Sequence, residues 1–210
     1  FLAVWDDAFQ DATHDEEQVF DAAEIRKQGA YNSYVAANDM VPRALETYRD
    51  SLALQFPAKP PAGTKKPHFL RGSSSNPVNL WLWKADGADG QGAVEEVVAR
   101  GWRQQARPQG EAQQQLAGKA TWADGRWRLM MKRSRLTEDK NDVQFTAGSF
   151  VPLSVNAWDG SNGEHGLIMS LSTWYYVFLE APTPISVYVY TVLAIIIAGG
   201  LGLTIVRRVI

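Results

Sequence analysis

The chain has 210 residues, a formal net charge of -2 at pH 7 and no cysteine. This length accommodates one domain with its own core and a further segment. The nearly balanced charge argues against nucleic acid as a partner. The lack of cysteine excludes disulfides, cysteine-ligated iron–sulfur clusters and haem attached through a C-x-x-C-H motif.

The first half of the chain predicts short strands separated by helices and a loop. Glu16–Gln28 and Val41–Tyr48 predict helices, the first with apolar residues at roughly helical spacing. The proline-rich segment Pro57–Pro67 predicts a loop. Strands are predicted where β-forming residues cluster: Phe1–Trp5, Ser51–Phe56 and Pro77–Trp83.

The second half predicts a third helix, a hairpin and two further strands. Ala93–Gln104 predicts the helix, and residues 105–117 predict a polar connection. Residues 118–132 predict a hairpin that turns at an Ala-Asp-Gly sequence. Phe150–Trp158 and Leu171–Leu179 predict strands. The whole pattern predicts a mainly β fold, an antiparallel β-sandwich with helical insertions.

The last part of the chain, Val187–Val206, has no charged side chain. A bilayer core needs about 20 apolar residues of helix, so this run predicts a transmembrane helix rather than a buried core helix. Tyr188 and Tyr190 suit the interfacial belt, and Arg207 and Arg208 predict a cytoplasmic C-terminus. The globular part is then expected on the extracytoplasmic, periplasmic side of the membrane.

These elements predict one domain and a single-pass anchor. No secretory signal precedes the domain and the chain does not begin with methionine, so we expect it to be processed or to begin partway through a longer protein. The predicted parts are an extracytoplasmic domain at 1–180, a linker at 181–186, a transmembrane helix at 187–206 and a cytoplasmic end at 207–210.

Small residues recur every four positions in the predicted anchor, at Ala194, Ala198 and Gly202. This spacing places them along one side of a helix. Helices pack closely in a bilayer over such faces, which predicts a partner subunit with its own transmembrane helix at this side.

A second pattern follows the strand that ends at Trp158. The sequence Asp-Gly-Ser-Asn-Gly lies between apolar runs and predicts an exposed loop, the kind of segment that often carries binding residues. His165 and Met169, which follow this loop, are residue types that bind metals.

Several segments that span nearly all of residues 1–180 occur in an order that resembles one family: Trp5-Asp-Asp, Asp50–Pro57, Lys66–Gly72, Asn76–Ala85 and Trp158–Asn162. The resemblance is to the haem-b-binding domain of the ethylbenzene dehydrogenase gamma subunit and its relatives in dimethylsulfide dehydrogenase, selenate reductase and nitrite oxidoreductase. It implies a β-sandwich that holds one non-covalent b-type haem and passes electrons to or from partner subunits.

The family typically holds its haem iron with a methionine and a lysine, and the resemblance implies where these would lie. The lysine position carries Met169 here and the methionine position carries Arg71. Histidine and methionine both bind haem iron, so we predict a His68–Met169 pair, with His165 as the rival of Met169. The alternative is that both histidines are exposed loop residues and that Met169 packs in the sandwich.

Further residues are candidates for contact with the haem. Arg71, Lys65 and Lys66 are predicted to pair with the propionates, because cations match carboxylates. No nucleophile–base constellation, nucleotide-binding loop or zinc spacing appears in the sequence. The leading hypothesis is therefore a non-catalytic electron-transfer subunit of a respiratory or photosynthetic complex. The alternatives are a haem-less structural subunit with the same fold and anchor, and a sugar-binding β-sandwich.

Overall fold

The computed structural model describes residues 1–12, 48–60, 65–86, 93–103 and 106–209. Two predicted helices, Glu16–Gln28 and Val41–Tyr48, lie outside these ranges apart from Tyr48. Within the described residues the chain forms ten strands, two short 3-10 helices and one α-helix.

The strands are short and belong to two antiparallel sheets. Their bounds are β1 Leu2–Asp6, β2 Ser51–Pro57, β3 Val78–Lys84, β4 Ala93–Ala99, β5 Arg107–Pro108, β6 Ala117–Trp122, β7 Arg126–Lys132, β8 Phe150–Trp158, β9 Ser170–Leu171 and β10 Tyr175–Phe178. The 3-10 helices are Glu111–Gln113 and Gly160–Asn162, and the α-helix, α1, is Ile185–Val209. The prediction of a mainly β, antiparallel fold is confirmed.

The smaller sheet has the strand order β1-β7-β6, and the larger sheet has the order β10-β8-β2-β3-β4-β5, with β9 also paired to β8. The predicted hairpin is β6–β7. Its turn places Asp124 at φ 54° and Gly125 at φ 68°. Positive φ at both central residues gives a type I′ turn, which matches the twist of the two strands.

The main core lies between the two sheets. Trp83 and Trp127 are fully buried there, with ring centroids 4.8 Å apart, and Leu129 and Met131 from β7 join them. A second apolar cluster lies on the outer face of the larger sheet. It contains Leu80, Leu82 and Trp158, and Met169 and Trp174 pack against it. This second cluster forms the floor of the candidate site.

The predicted helix at Ala93–Gln104 is wrong, because Ala93–Ala99 is strand β4 between β3 and β5. Val94, Val97 and Val98 fit helical spacing, but valine also favours strands. Hydrogen-bonded pairing with β3 and β5 makes this segment a strand. The predicted strand Leu171–Leu179 is likewise two strands, β9 and β10, separated at residues 172–174.

Helix α1 extends two residues before and three residues beyond the predicted span at 187–206. Its residues Ile185–Arg208 are long and apolar enough to cross a membrane, and none of the span is buried against the rest of the described chain. A core helix of the same composition is usually largely buried, whereas α1 is exposed along its whole length among the described residues.

Candidate functional site

Two loops meet on the outer face of the larger sheet. We call residues 65–72 the first loop and residues 159–169 the second loop. The indole of Trp174 donates to the carbonyl of Pro67 at 3.0 Å, and the side chain of Gln55 on β2 donates to the carbonyl of Phe69 at 2.7 Å. These bonds hold the first loop over the sheet and beside the segment that follows the second loop.

The first loop reverses direction in a tight turn. The Gly72 amide donates to the His68 carbonyl at 2.8 Å, and Arg71 and Gly72 both have positive φ, 62° and 69°. A side chain at Gly72 would bring its Cβ to 2.5 Å from the Asn76 carbonyl oxygen, so glycine is required here. This turn directs the Arg71 side chain under the loop, where only 1% of the residue is exposed.

The second loop is closed by Asp159. Its side chain accepts hydrogen bonds from the Ser161 hydroxyl at 2.6 Å, the Asn162 amide at 3.2 Å and the Asn162 side chain at 2.7 Å. The 3-10 helix Gly160–Asn162 follows, and Gly163 ends it at φ 68°. The small polar residues that predicted a loop therefore form a compact turn with a cap.

The two positions that the family resemblance singled out are in contact. The Arg71 Nη2 atom lies 4.0 Å from the Met169 sulfur and donates to the Gly166 carbonyl at 3.3 Å. Trp158 donates to the same carbonyl at 3.2 Å, and the Arg71 guanidinium lies 5.9 Å from the centroid of its ring. Burial lowers the pKa of Arg71 to about 9, so the side chain is still charged at neutral pH.

The two candidate histidines have different surroundings. His68 is exposed and stacks on Phe69 with centroids 4.6 Å apart, and its Nδ1 accepts a hydrogen bond from the Leu70 amide at 3.2 Å. His165 is half-buried and stacks on Tyr48 with ring centroids 4.0 Å apart. The structure thus brings Arg71 and Met169 together, while each histidine ring stacks on a neighbouring aromatic side chain.

An acidic cluster, missed in the sequence, lies behind the second loop. Carboxylate oxygens of Asp7, Asp50 and Asp159 lie within 4.8 Å of one another. Asp50 directly precedes β2 and Asp159 directly follows β8, and Ser51 pairs with Trp158. Antiparallel pairing of these two strands was the signal that would have predicted the closeness of Asp50 and Asp159.

Asp50 is fully buried and joins three parts of the fold. Its carboxylate accepts hydrogen bonds from the Asp11 amide at 2.9 Å, the Gly160 amide at 3.0 Å and the Trp127 indole at 3.0 Å. Burial raises the pKa of Asp50 to about 7, and the charge of Asp7 adds to the effect, while the three hydrogen bonds oppose it.

Fold and site together define the class: a β-sandwich domain with two loops joined over the outer face of its larger sheet, and an apolar C-terminal helix. Residues 97–170 match the model of a family described as ethylbenzene dehydrogenase. A Haloferax mediterranei protein named "Putative respiratory nitrate reductase heme subunit ORF7" is 32% identical over 139 residues, which are 66% of this chain and 46% of that protein. The chain thus spans about half the length of this curated relative. It carries an ethylbenzene dehydrogenase-like domain, and the resemblance seen in its motifs is confirmed.

The donors at the meeting point of the loops can be compared with what a haem iron needs. A ligand must offer a lone pair. The Met169 sulfur does so, and the residue is only partly buried. The protonated guanidinium of Arg71 has hydrogen-bond donors only, so Arg71 does not fit as a ligand. His68, in the same turn as Arg71, offers an exposed imidazole. By donor chemistry alone, Met169 and His68 could hold a haem iron at these loops, and Arg71 could not.

Proposed function

We propose that the chain is a membrane-anchored electron-transfer subunit of a respiratory or photosynthetic redox complex, with one non-covalent b-type haem held between the first and second loops. The observation that carries the proposal is the contact of the two loops at Arg71 and Met169, the positions at which the family holds its iron. The relative named as a heme subunit supports the same cofactor. The chain itself is not a catalyst in this proposal.

Each residue of the site has a defined task in this function. Met169 would supply a thioether sulfur to the haem iron, and His68 would supply a ring nitrogen, with His165 as the rival of Met169. Two protein ligands leave no position for a substrate, so a haem held in this way supplies one-electron transfer. Trp158 and Trp174 present apolar surface from the second core cluster and exclude water from the site.

Charged residues of the first loop have a separate task. Lys65 is exposed at the start of the first loop, Lys66 is half-buried with its ammonium over the Tyr176 ring, and the charged Arg71 lies beneath the loop. We assign Lys65 and Arg71 to the two propionate groups, because carboxylates form their strongest hydrogen bonds with cationic donors. These contacts would hold the carboxylates of the cofactor at the first loop, and the tryptophans would supply apolar contact.

Replacing Met169 by alanine tests this site. The expected result is a changed visible spectrum and a lower reduction potential of the haem in the purified complex, because loss of a thioether ligand removes the donor that favours the reduced iron. Met130→Ala is the matched control, since Met130 is 53% exposed on the smaller sheet. Spectra of Met169→Ala identical to those of the wild-type complex would remove Met169 from the ligand set.

A second candidate function is favoured by the same contact. Arg71, which cannot bind iron, fills the space beside Met169, and the Nδ1 of His68 is engaged by the Leu70 amide. A haem-less subunit that keeps the fold and anchor, and supports a neighbouring cytochrome, would have such a self-contained site. Acid–acetone extraction of the purified complex decides between them, because the absence of cysteine makes any haem of this chain extractable. A complex whose extracted haem is fully accounted for by other subunits would establish the second function.

The location of the chain is part of the proposal. Arg207 and Arg208 in the last turns of α1 support a C-terminus in the cytoplasm, which leaves the sandwich on the periplasmic side. Apart from the adjacent residues and backbone of α1 itself, no atom of the described chain lies within 4 Å of a Cβ atom built at Gly199 or Gly202. We assign the face of Ala194, Ala198 and Gly202 to a transmembrane helix of a partner subunit.

The double substitution Ala198→Leu, Gly202→Leu tests that face. Both changes keep the helix apolar, so insertion should persist while the bulkier side chains block close approach of the partner helix. We expect the variant to co-purify with the complex in a clearly smaller amount than the wild-type chain. Ile196→Phe, which adds bulk to the opposite side of α1, should co-purify normally. A double variant recovered at the wild-type ratio would make α1 a tether only.

A further inference from the structure

An aromatic patch is exposed on the outer face of the larger sheet, at its β10 edge. It consists of Phe150, Tyr176 and Phe178, which are 66%, 54% and 49% exposed. Phe178 lies opposite Phe150 in the β10–β8 pair, and their ring centroids are 4.7 Å apart. The ring centroid of Tyr176 lies 6.3 Å from that of Phe150. Three aromatic side chains grouped in this way mark a surface that contacts something other than water.

A cation lies against this patch. The Lys66 ammonium is 4.4 Å from the centroid of the Tyr176 ring, and Lys65 beside it is exposed. Aromatic rings flanked by lysine are the combination that occurs at the level of lipid headgroups, where rings enter the upper acyl region and ammonium groups meet phosphates. The chemistry of the patch therefore fits a lipid surface.

The connection to α1 keeps the patch close to the start of the helix. The Gly148 amide donates to the Leu179 carbonyl at 2.6 Å, and the Leu179 amide donates to the Ser149 carbonyl at 3.0 Å, so the chain is attached to the sandwich up to Leu179. Helix α1 begins at Ile185. The intervening segment, with Pro182 and Pro184, spans roughly 20 Å at most when fully extended.

We infer that the aromatic patch lies in the headgroup region of the bilayer, on the side of the membrane that carries the sandwich. The inference rests on the membrane anchor proposed above. The short connection brings the end of β10 to the membrane surface, and the exposed rings of Phe150 and Phe178 face it. Lys66 adds attraction to anionic lipids. The sandwich thus has a second attachment to the membrane besides α1, which fixes its tilt.

Nitroxide labelling tests the contact directly, because the chain has no cysteine and each introduced cysteine is labelled alone. The full chain is placed in nanodiscs of zwitterionic and anionic phosphatidyl lipids, with a label at Phe150→Cys or at Phe178→Cys. Each variant leaves two aromatic residues of the patch in place. Collision rates with oxygen, which concentrates in lipid, and with a polar nickel chelate, which stays in water, report the depth of each label.

The expected result is a several-fold higher oxygen-to-nickel ratio at positions 150 and 178 than at Met130→Cys, a comparably exposed site on the smaller sheet. A label at Ile197→Cys in the middle of α1 reports the anchor independently. Lipid-like values at position 197 with water-like values at 150 and 178 would overturn the patch assignment alone. Water-like values at all of these positions would overturn the anchor and the patch assignment together. Haem content enters neither result.

Discussion

Replacing Arg133 by alanine is expected to lower the free energy of unfolding by about 3–5 kcal/mol, the largest effect of any single substitution considered. The side chains of Arg133 and Glu96 are both fully buried and form an ion pair through Arg133 Nη1. Arg133 also donates to the carbonyl of Val143, and its Nη1 lies 3.5 Å from Asp142, which is buried as well. Truncation removes the cation and leaves two carboxylates without it.

The position of Arg133 explains why the loss is not made up by water. Its guanidinium lies 4.9 Å from the centroid of Trp81 and 5.8 Å from that of Phe145, within the main core. A cation over aromatic rings is favourable when it is shielded from solvent. Alanine would open a cavity between the rings. It would also leave the carboxylates of Glu96 and Asp142 without their cation in a low-dielectric interior, and both effects destabilise the fold.

Urea denaturation of the full chain in detergent, followed by tryptophan fluorescence, measures this prediction. Arg126→Ala is the matched control, because Arg126 pairs with Asp6 at 2.6 Å in an exposed position, with 47% and 80% of the two side chains accessible. Exposed pairs contribute about 0–1 kcal/mol. If Arg133→Ala were as mild as Arg126→Ala, the buried network would not be a determinant of stability.

Replacing Asp50 by alanine is expected to lower the free energy of unfolding by about 2–4 kcal/mol at pH 5, since three buried N–H donors lose their acceptor. These donors belong to Asp11, Gly160 and Trp127, so the change loosens the joint between the N-terminal segment, the second loop and the smaller sheet. Asp86→Ala is the control, because Asp86 is 60% exposed in its pair with Arg49. Asp86→Ala should lower the free energy of unfolding by no more than about 1 kcal/mol.

The same carboxyl group gives stability a pH dependence. The folded chain binds the Asp50 proton more tightly than the unfolded chain, since the pKa is about 7 in the fold and about 4 in the unfolded chain. The contribution of Asp50 to stability is therefore fully present below pH 4, declines as the pH rises from 4 to 7 and is level above 7. Burial also raises the pKa of Asp7 and Asp11, which adds to this decline.

Urea midpoints at pH 5 and pH 8 test the pH dependence. The wild-type chain should be less stable at pH 8, and Asp50→Ala should show a smaller difference between the two values. A difference that is unchanged in Asp50→Ala would assign the pH dependence to other groups and contradict the raised pKa of Asp50.

Local patterns were enough to predict most of the strands. β2, β3 and β8 are rich in β-forming residues, and the hairpin β6–β7 turns at Asp124-Gly125, where the sequence itself favours positive φ. β4 was missed because its buried Glu96 looks like the polar face of a helix. The buried glutamate is acceptable in a strand because its carboxylate pairs with Arg133, 37 residues further along the chain, and accepts from the Gln115 amide.

The contacts of the candidate site could not be predicted from local patterns. Arg71 and Met169 are 98 residues apart, and no periodicity or spacing predicts that they touch. The order of the motifs and the family that they resemble placed both residues in facing loops. The acidic cluster at Asp50 needed strand pairing, which a single sequence does not reveal. Predictions of this site therefore depended on family resemblance where the contacts are long-range.

The place of β2 in the larger sheet has a consequence for how the chain acquires its fold. β2 pairs on one side with β3, which follows soon after, and on the other with β8, in a register that joins Ser51 to Trp158. Pairings between such distant segments form slowly, because a long loop must close first. A nascent chain shorter than Trp158 exposes the open edge of β2, a template for intermolecular strand pairing. Fragments that end before β8 should therefore aggregate, and the domain should fold only after β8 has been made.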